Sequence, residues 1–138
     1  MRLTAHQARE LFGMARVATL ATVSAAGQPH VVPVTFATDG DFVYTAVDAK
    51  PKSTRDLARL RNLRANTRVA VLADHYDDDW SALWWARADG EASIVEDLAT
   101  VTGPVRLLAG RYRQYQDSPP EGPLVIVRVL RWTGWSAS

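Results

Sequence analysis

Lys50-Pro51-Lys52-Ser53-Thr54 is a run whose residue types suit the binding of an anion. The chain has only two lysines, and both are here, among fourteen arginines. A phosphate at the start of a helix would meet the positive helix end, two ammonium groups and a hydroxyl such as that of Ser53. Pro51 stiffens the turn that presents them. A solvated basic turn is the alternative reading. Arg55, Arg59 and Arg61 could extend the site, or face water and pair with acidic groups. From Lys50 to Arg68 there are seven basic residues and one acid, Asp56, while Asp74, Asp77, Asp78 and Asp79 cluster further on. Charge is therefore polarised locally, although the net charge is only +1.

Other chemistries find little support. There is no cysteine, so disulfides, thiolate nucleophiles and thiolate zinc sites are absent. His6, His30 and His75 are far apart in the chain and show no metal spacing, which favours structural roles. No Gly-rich phosphate loop follows a strand, and no GxSxG elbow occurs. If the protein is an enzyme, its chemistry resides in a cofactor. Trp80, Trp84, Trp85, Trp132 and Trp135 are the second unusual feature. An aromatic segment so near the C-terminus needs something to dock on: a partner subunit, a planar ligand or a single-stranded nucleic acid. Near-zero net charge and four clustered aspartates argue against nucleic acid.

The elements that must position these residues read as follows. Thr4 caps a first helix, with Gln7 completing a capping box. Val17 to Val23 alternates as a strand, Ala26-Gly27 turns, and His30 to Ala37 returns, with Pro33 marking an edge or bulge. Asp39-Gly40 is a tight turn before a third strand from Phe42 to Val47. The lysine run follows, and Thr54 to Asn66 is helical with leucines at 57, 60 and 63. Val69 to Ala73, Ala82 to Ala88 and Leu124 to Leu130 are further strands, with a turn expected at Asp89-Gly90 and a short helix over Val105 to Leu108 after Pro104. The length suits one domain over 1–138. No apolar run could span a membrane and no signal peptide is evident, so a soluble cytoplasmic protein is expected. Six short strands suggest a small closed barrel.

Five segments, taken in order, carry a resemblance: RVATLATVSAAGQPHVVPVTFA, FVYTAVDAKPKSTRDLARLRNLRANTRVAVL, DDDWSALWWARADGEA, RYRQYQ and the terminal RWTGW. Together they resemble the split-barrel flavin and deazaflavin oxidoreductases, the superfamily of pyridoxamine 5'-phosphate oxidase, and most closely its coenzyme F420-dependent branch. The resemblance implies a mainly β fold, a six-stranded antiparallel split barrel with short flanking helices, forming a homodimer with a cofactor groove at each side of the interface. It implies that Lys52 and Ser53, with Lys50, Arg55 and Arg61 as helpers, hold the cofactor phosphate. It places His30, Val32, Pro33, Val34 and Thr35 along the cofactor ring, and Trp80, Trp85 and Arg87 of the partner chain across the groove. The arginine and histidine that bind pyridoxal phosphate near the C-terminus of the oxidases have no counterpart, which points towards the deazaflavin branch.

The implied activity is hydride transfer between coenzyme F420 and a small organic acceptor, with FMN as the alternative cofactor. A chain that only stores a flavin, F420 or haem is the non-catalytic alternative. The hydroxyls of Thr35, Tyr44 and Tyr76 are the candidates for supplying a proton.

Overall fold

The computed structural model describes residues 1–47 and 57–138. Helix α1 (Ala5–Met14) starts as expected: the Thr4 hydroxyl accepts from the Gln7 N–H, and the Gln7 side chain accepts from the Thr4 N–H. Its buried Ala8 and Phe12 face the sheet, where Phe12 meets Phe36 and, edge-on, Trp132. The strands are β1 (Ala18–Val23), β2 (Pro29–Val34), β3 (Ala37–Asp39), β4 (Phe42–Ala46), β5 (Arg68–His75), β6 (Trp84–Val95) and β7 (Leu124–Ser136). Helix α2 (Ala58–Ala65) lies between β4 and β5, and α3 (Thr102–Arg111) and α4 (Arg113–Asp117) lie between β6 and β7.

The expected closed six-stranded barrel is not what forms. The fold is mixed α/β, and all seven strands join one antiparallel sheet in the order β2-β1-β5-β6-β7-β4-β3. β2 and β3 stand at opposite ends, and no ladder joins them among the described residues. The expected single strand from His30 to Ala37 breaks at Thr35 and Phe36, and its halves go to the two edges. Both edges suit their positions. Pro29 and Pro33 remove ladder donors from β2, and β3 has only three residues.

The inner face of the sheet carries the main core. Leu20, Val34, Val71, Ala86, Ala88 and Val127 are fully or almost fully buried there with Phe12 and Phe36, and with Leu60 and Leu63 of α2. The Asn62 amide donates to the Thr22 hydroxyl at 3.0 Å, so the two buried polar groups satisfy each other. A second core forms where α3 and α4 bring Leu108, Tyr112 and Tyr115 against Ala37, Tyr44, Ala46 and Leu124.

Asp89-Gly90 is a β-bulge inside β6–β7, not a turn. Asp89 pairs with Arg131 and Gly90 with Val129, leaving Leu130 as an extra, exposed residue. A Cβ on Gly90 would sit 2.3 Å from the Arg128 carbonyl oxygen, so the close approach requires glycine. The terminal RWTGW segment is the end of β7. Met1 and Leu3 bond to the backbone of Ser136 and Gly134, and Gly134 pairs with Ala86.

Candidate functional site

Two grooves hold most of the described candidate residues. The first, about 330 Å³, lies where the ends of β2 and β4 meet the start of α2. Pro33, Val34 and Thr35 form one wall, Thr45 and Ala46 another, and Arg59 contributes a half-buried guanidinium. Val47, next in the chain, donates its N–H to the Pro123 carbonyl at 3.0 Å, and the Gly122 backbone packs against it. The chain between this anchor and Leu57 carries Lys50, Lys52, Ser53 and Arg55, which lie outside the described residues.

A tyrosine-centred network adjoins this groove through Thr35. The Tyr112 hydroxyl accepts the Phe36 N–H at 3.0 Å and has the carbonyl oxygens of Phe36 and Arg16 each at 2.9 Å. One phenol thus bonds the break between β2 and β3 to the residue preceding Val17. Next to it the Thr35 and Tyr115 hydroxyls lie 3.2 Å apart. Arg111 donates to the Gly13 and Ala15 carbonyls at the end of α1, and its guanidinium lies 4.8 Å from the Phe36 ring centre.

The second groove, about 660 Å³, is built on β6, β7 and the N-terminus. Trp85, Arg87, Arg131, Thr133 and Trp135 line it, with Arg2 and Tyr76 at its margin. Trp85 is in register with Trp135, and Arg87 with Thr133. Arg87 bonds Asp89 at 3.1 Å and its guanidinium lies 5.7 Å from the centre of the Trp85 ring.

The expected residues therefore separate. Pro33, Val34 and Thr35 share the first groove; Trp85 and Arg87 share the second. Val32 packs against the core, and half-buried His30 lies in register with Thr22, its Nδ1 buried without a partner. Arg61 is exposed on α2 and lines neither groove. Trp80 is the most exposed aromatic residue, in a 3-10 turn whose start is capped by Asp79. Bonds from the Ser81 hydroxyl and then the Ser81 N–H hold the Asp79 carboxyl below its ordinary pKa. Tyr44 does not line the first groove: it is in the second core, where burial and then Asp39 raise its phenol pKa. Thr45 and Ala46 also line the groove; β4 is buried at every residue from Val43 to Ala46, so no alternation marks them out. Arg131 and Thr133 were missed because their importance depends on strand pairing.

Among the described residues no cluster of His, Asp and Glu could hold a metal ion, and no helix is long and apolar enough to cross a membrane.

No curated protein matches the chain. Solved structures match its fold. A FAD-binding protein from Mesorhizobium loti aligns over 97% of this chain and 95% of its own, with 18% identity and a TM-score of 0.76. A conserved hypothetical protein from Mycobacterium tuberculosis aligns over 98% and 86%, with 20% identity and a TM-score of 0.77. The haem storage protein HutZ from Vibrio cholerae aligns over 94% and 91%, with 20% identity and a TM-score of 0.71. The family model of pyridoxamine 5'-phosphate oxidase matches residues 4–135, from the capping threonine of α1 to the last tryptophan of β7. With nearly its whole length matched, the chain belongs to the pyridoxamine 5'-phosphate oxidase family.

Proposed function

We propose that the protein is a coenzyme F420-dependent oxidoreductase that transfers a hydride to a small organic acceptor, and that it works as a homodimer. The observation that carries this reading is the first groove. Its walls are the end of β2, the end of β4 and Arg59, and in sequence the segment that holds both lysines runs from the end of β4 to the start of α2. Its volume is at the lower end of ligand pockets, as suits a half-site that a second chain completes.

The residues fit a flat, phosphate-bearing cofactor. Pro33 and Val34 offer an apolar bed for the ring, and the Thr35 hydroxyl, held beside Tyr115, offers a directed polar contact. Lys52 and Ser53, assisted by Lys50, Arg55 and Arg59, would hold the phosphate. Bound reduced deazaflavin supplies the hydride; the protein aligns the acceptor and excludes water.

The homodimer is supported by an uncovered outer sheet face. Val31 is 63% exposed there, and Ala21, Ala70 and Leu72 continue the face to Arg87 and Trp85 on β6. A second chain on this face would bring Trp80, Trp85 and Arg87 across the partner's cofactor groove.

Calorimetric titration with coenzyme F420 and with FMN tests the cofactor. Lys52→Ala should weaken the better ligand roughly ten-fold or more, since a charge-assisted contact is lost. Unchanged affinity would refute the phosphate site, and tighter FMN than F420 binding would move the protein to the flavin class. A chain that only stores the cofactor would bind it and reduce no acceptor. Sedimentation showing a monomer would remove the dimer.

A further inference from the structure

We propose that Tyr115 and Gly122 are positioning residues for the first groove, each setting one of its two walls from behind, so that the segment carrying them fixes the width offered to the cofactor ring. The walls need such a device. One is the end of β2 and the other the end of β4, and in the sheet these strands are separated by β1, β5, β6 and β7. No ladder joins them among the described residues, so strand pairing does not set their spacing. The chain crosses from one wall towards the other through Thr35 and Phe36 into β3, which pairs with β4, and the crossing itself belongs to neither strand.

The segment between α3 and β7 reaches both walls. Tyr115 of α4 is buried in the second core with Ala46, and its hydroxyl lies 3.2 Å from Thr35 Oγ1. Whichever hydroxyl donates, the bond selects one rotamer of Thr35. Further along, the Pro123 carbonyl accepts the Val47 N–H at 3.0 Å, one bond beyond the ladder that ends with Ala46 and Leu124. Gly122 is buried against the same residue: a Cβ there would sit 2.5 Å from the Val47 carbonyl oxygen and 3.2 Å from its carbonyl carbon. Val47 directly follows Thr45 and Ala46, the residues of β4 that line the groove. Neither Tyr115 nor Gly122 lines the groove, so each acts through a neighbour: Tyr115 through Thr35, and Gly122 through Val47. Walls already held apart at the right distance bind a rigid ring at lower cost than walls that must first be ordered.

Their role towards a cofactor rests on the oxidoreductase reading. The test is calorimetric titration of the full chain with F420 and with FMN, well below the unfolding transition, alongside the urea midpoint of each variant. Tyr115→Phe should weaken the better ligand roughly three- to ten-fold, the range of one hydrogen bond. In a Thr35→Val background the same change should cost no further affinity, because its route to the ligand is gone. A merely structural tyrosine would lower the urea midpoint and leave the affinity of the folded protein alone. Gly122→Ala should weaken the ligand about ten-fold or more through the displaced Val47 backbone, whereas Gly110→Ala, which meets nothing within 4 Å, should not. Tyr115→Phe removes one hydroxyl and keeps the ring, so it decides the matter even where Gly122→Ala does not fold. Unchanged affinity in the folded Tyr115→Phe or Gly122→Ala protein overturns the proposal and leaves the cofactor reading standing. Additive losses from Tyr115→Phe and Thr35→Val also overturn it, because Tyr115 would then not act through Thr35. An unmodified chain that binds neither F420 nor FMN sinks the oxidoreductase reading, and this role with it.

Discussion

Tyr112→Phe isolates one hydroxyl. The ring keeps its packing: it remains 5.9 Å from the Tyr115 ring and within 5.0 Å of the Arg16 guanidinium. What disappears is the acceptor for the Phe36 N–H and the donor shared by the Phe36 and Arg16 carbonyls. Phe36 is fully buried and lies between β2 and β3, so no ladder supplies a replacement. Leaving one buried N–H unsatisfied costs about 1–3 kcal/mol, and losing the shared donor adds up to about 1 kcal/mol. We expect a loss of about 2–3 kcal/mol, or about 6–12 °C in Tm for a chain of this length. Urea unfolding followed by tryptophan fluorescence measures it, with the slope unchanged if only the folded state is affected. Because Thr35 precedes Phe36, cofactor affinity should fall as well. A loss below about 0.5 kcal/mol would mean that water replaces the phenol, and that the network does not hold the break between β2 and β3.

Two further expectations follow from local geometry. Gly90→Ala should destabilise by about 2–3 kcal/mol, because its Cβ would collide with backbone, whereas Gly103→Ala in α3 meets nothing within 4 Å and should be neutral or stabilising; equal midpoints in urea would contradict the bulge geometry. The lowered pKa of Asp79 means that its cap contributes fully above the ordinary carboxylate value of about 3.9 and is lost as pH falls through the lower folded value. Trp80 fluorescence should change in that acid range, and Asp79→Asn, which still caps but does not titrate, should abolish the change; a change that persists in the variant would refute the cap.

The sequence carried the local structure well where the chemistry is local. The Thr4–Gln7 capping box, the turns at Gly27 and Gly40 and most strand cores depend on neighbours within a few residues. It failed where a distant residue decides. Nothing near Thr35 says that a phenol from residue 112 will capture the next N–H and divide the strand, and that division is what opens the expected barrel into a sheet with two edges. Asp89-Gly90 has the composition of a turn, but the pairing of β7 makes it a bulge. RWTGW looked like an aromatic tail in need of a partner, and β6 is what it pairs with. The candidate site shows the same limit. The resemblance, not the strand pattern, grouped Pro33, Val34 and Thr35 with His30 and Val32; only the first three line one groove, and nothing local in the sequence separates Trp85 and Arg87 into another.

The bulge at Leu130 also works as a parity switch. Before it, the odd-numbered residues Val125, Val127 and Val129 of β7 are buried; after it, the even-numbered Trp132 packs on the core and the odd-numbered Arg131, Thr133 and Trp135 reach the groove. Uninterrupted alternation would turn an arginine, a threonine and a tryptophan into the core and strip the groove of its chemistry. It follows that removing Leu130 leaves every other side chain on its present face, whereas removing one residue from Val125 to Val129 swaps the faces on one side of the deletion. Length variation in this strand is therefore compatible with the groove at a single position, the one side chain that the ladder does not count.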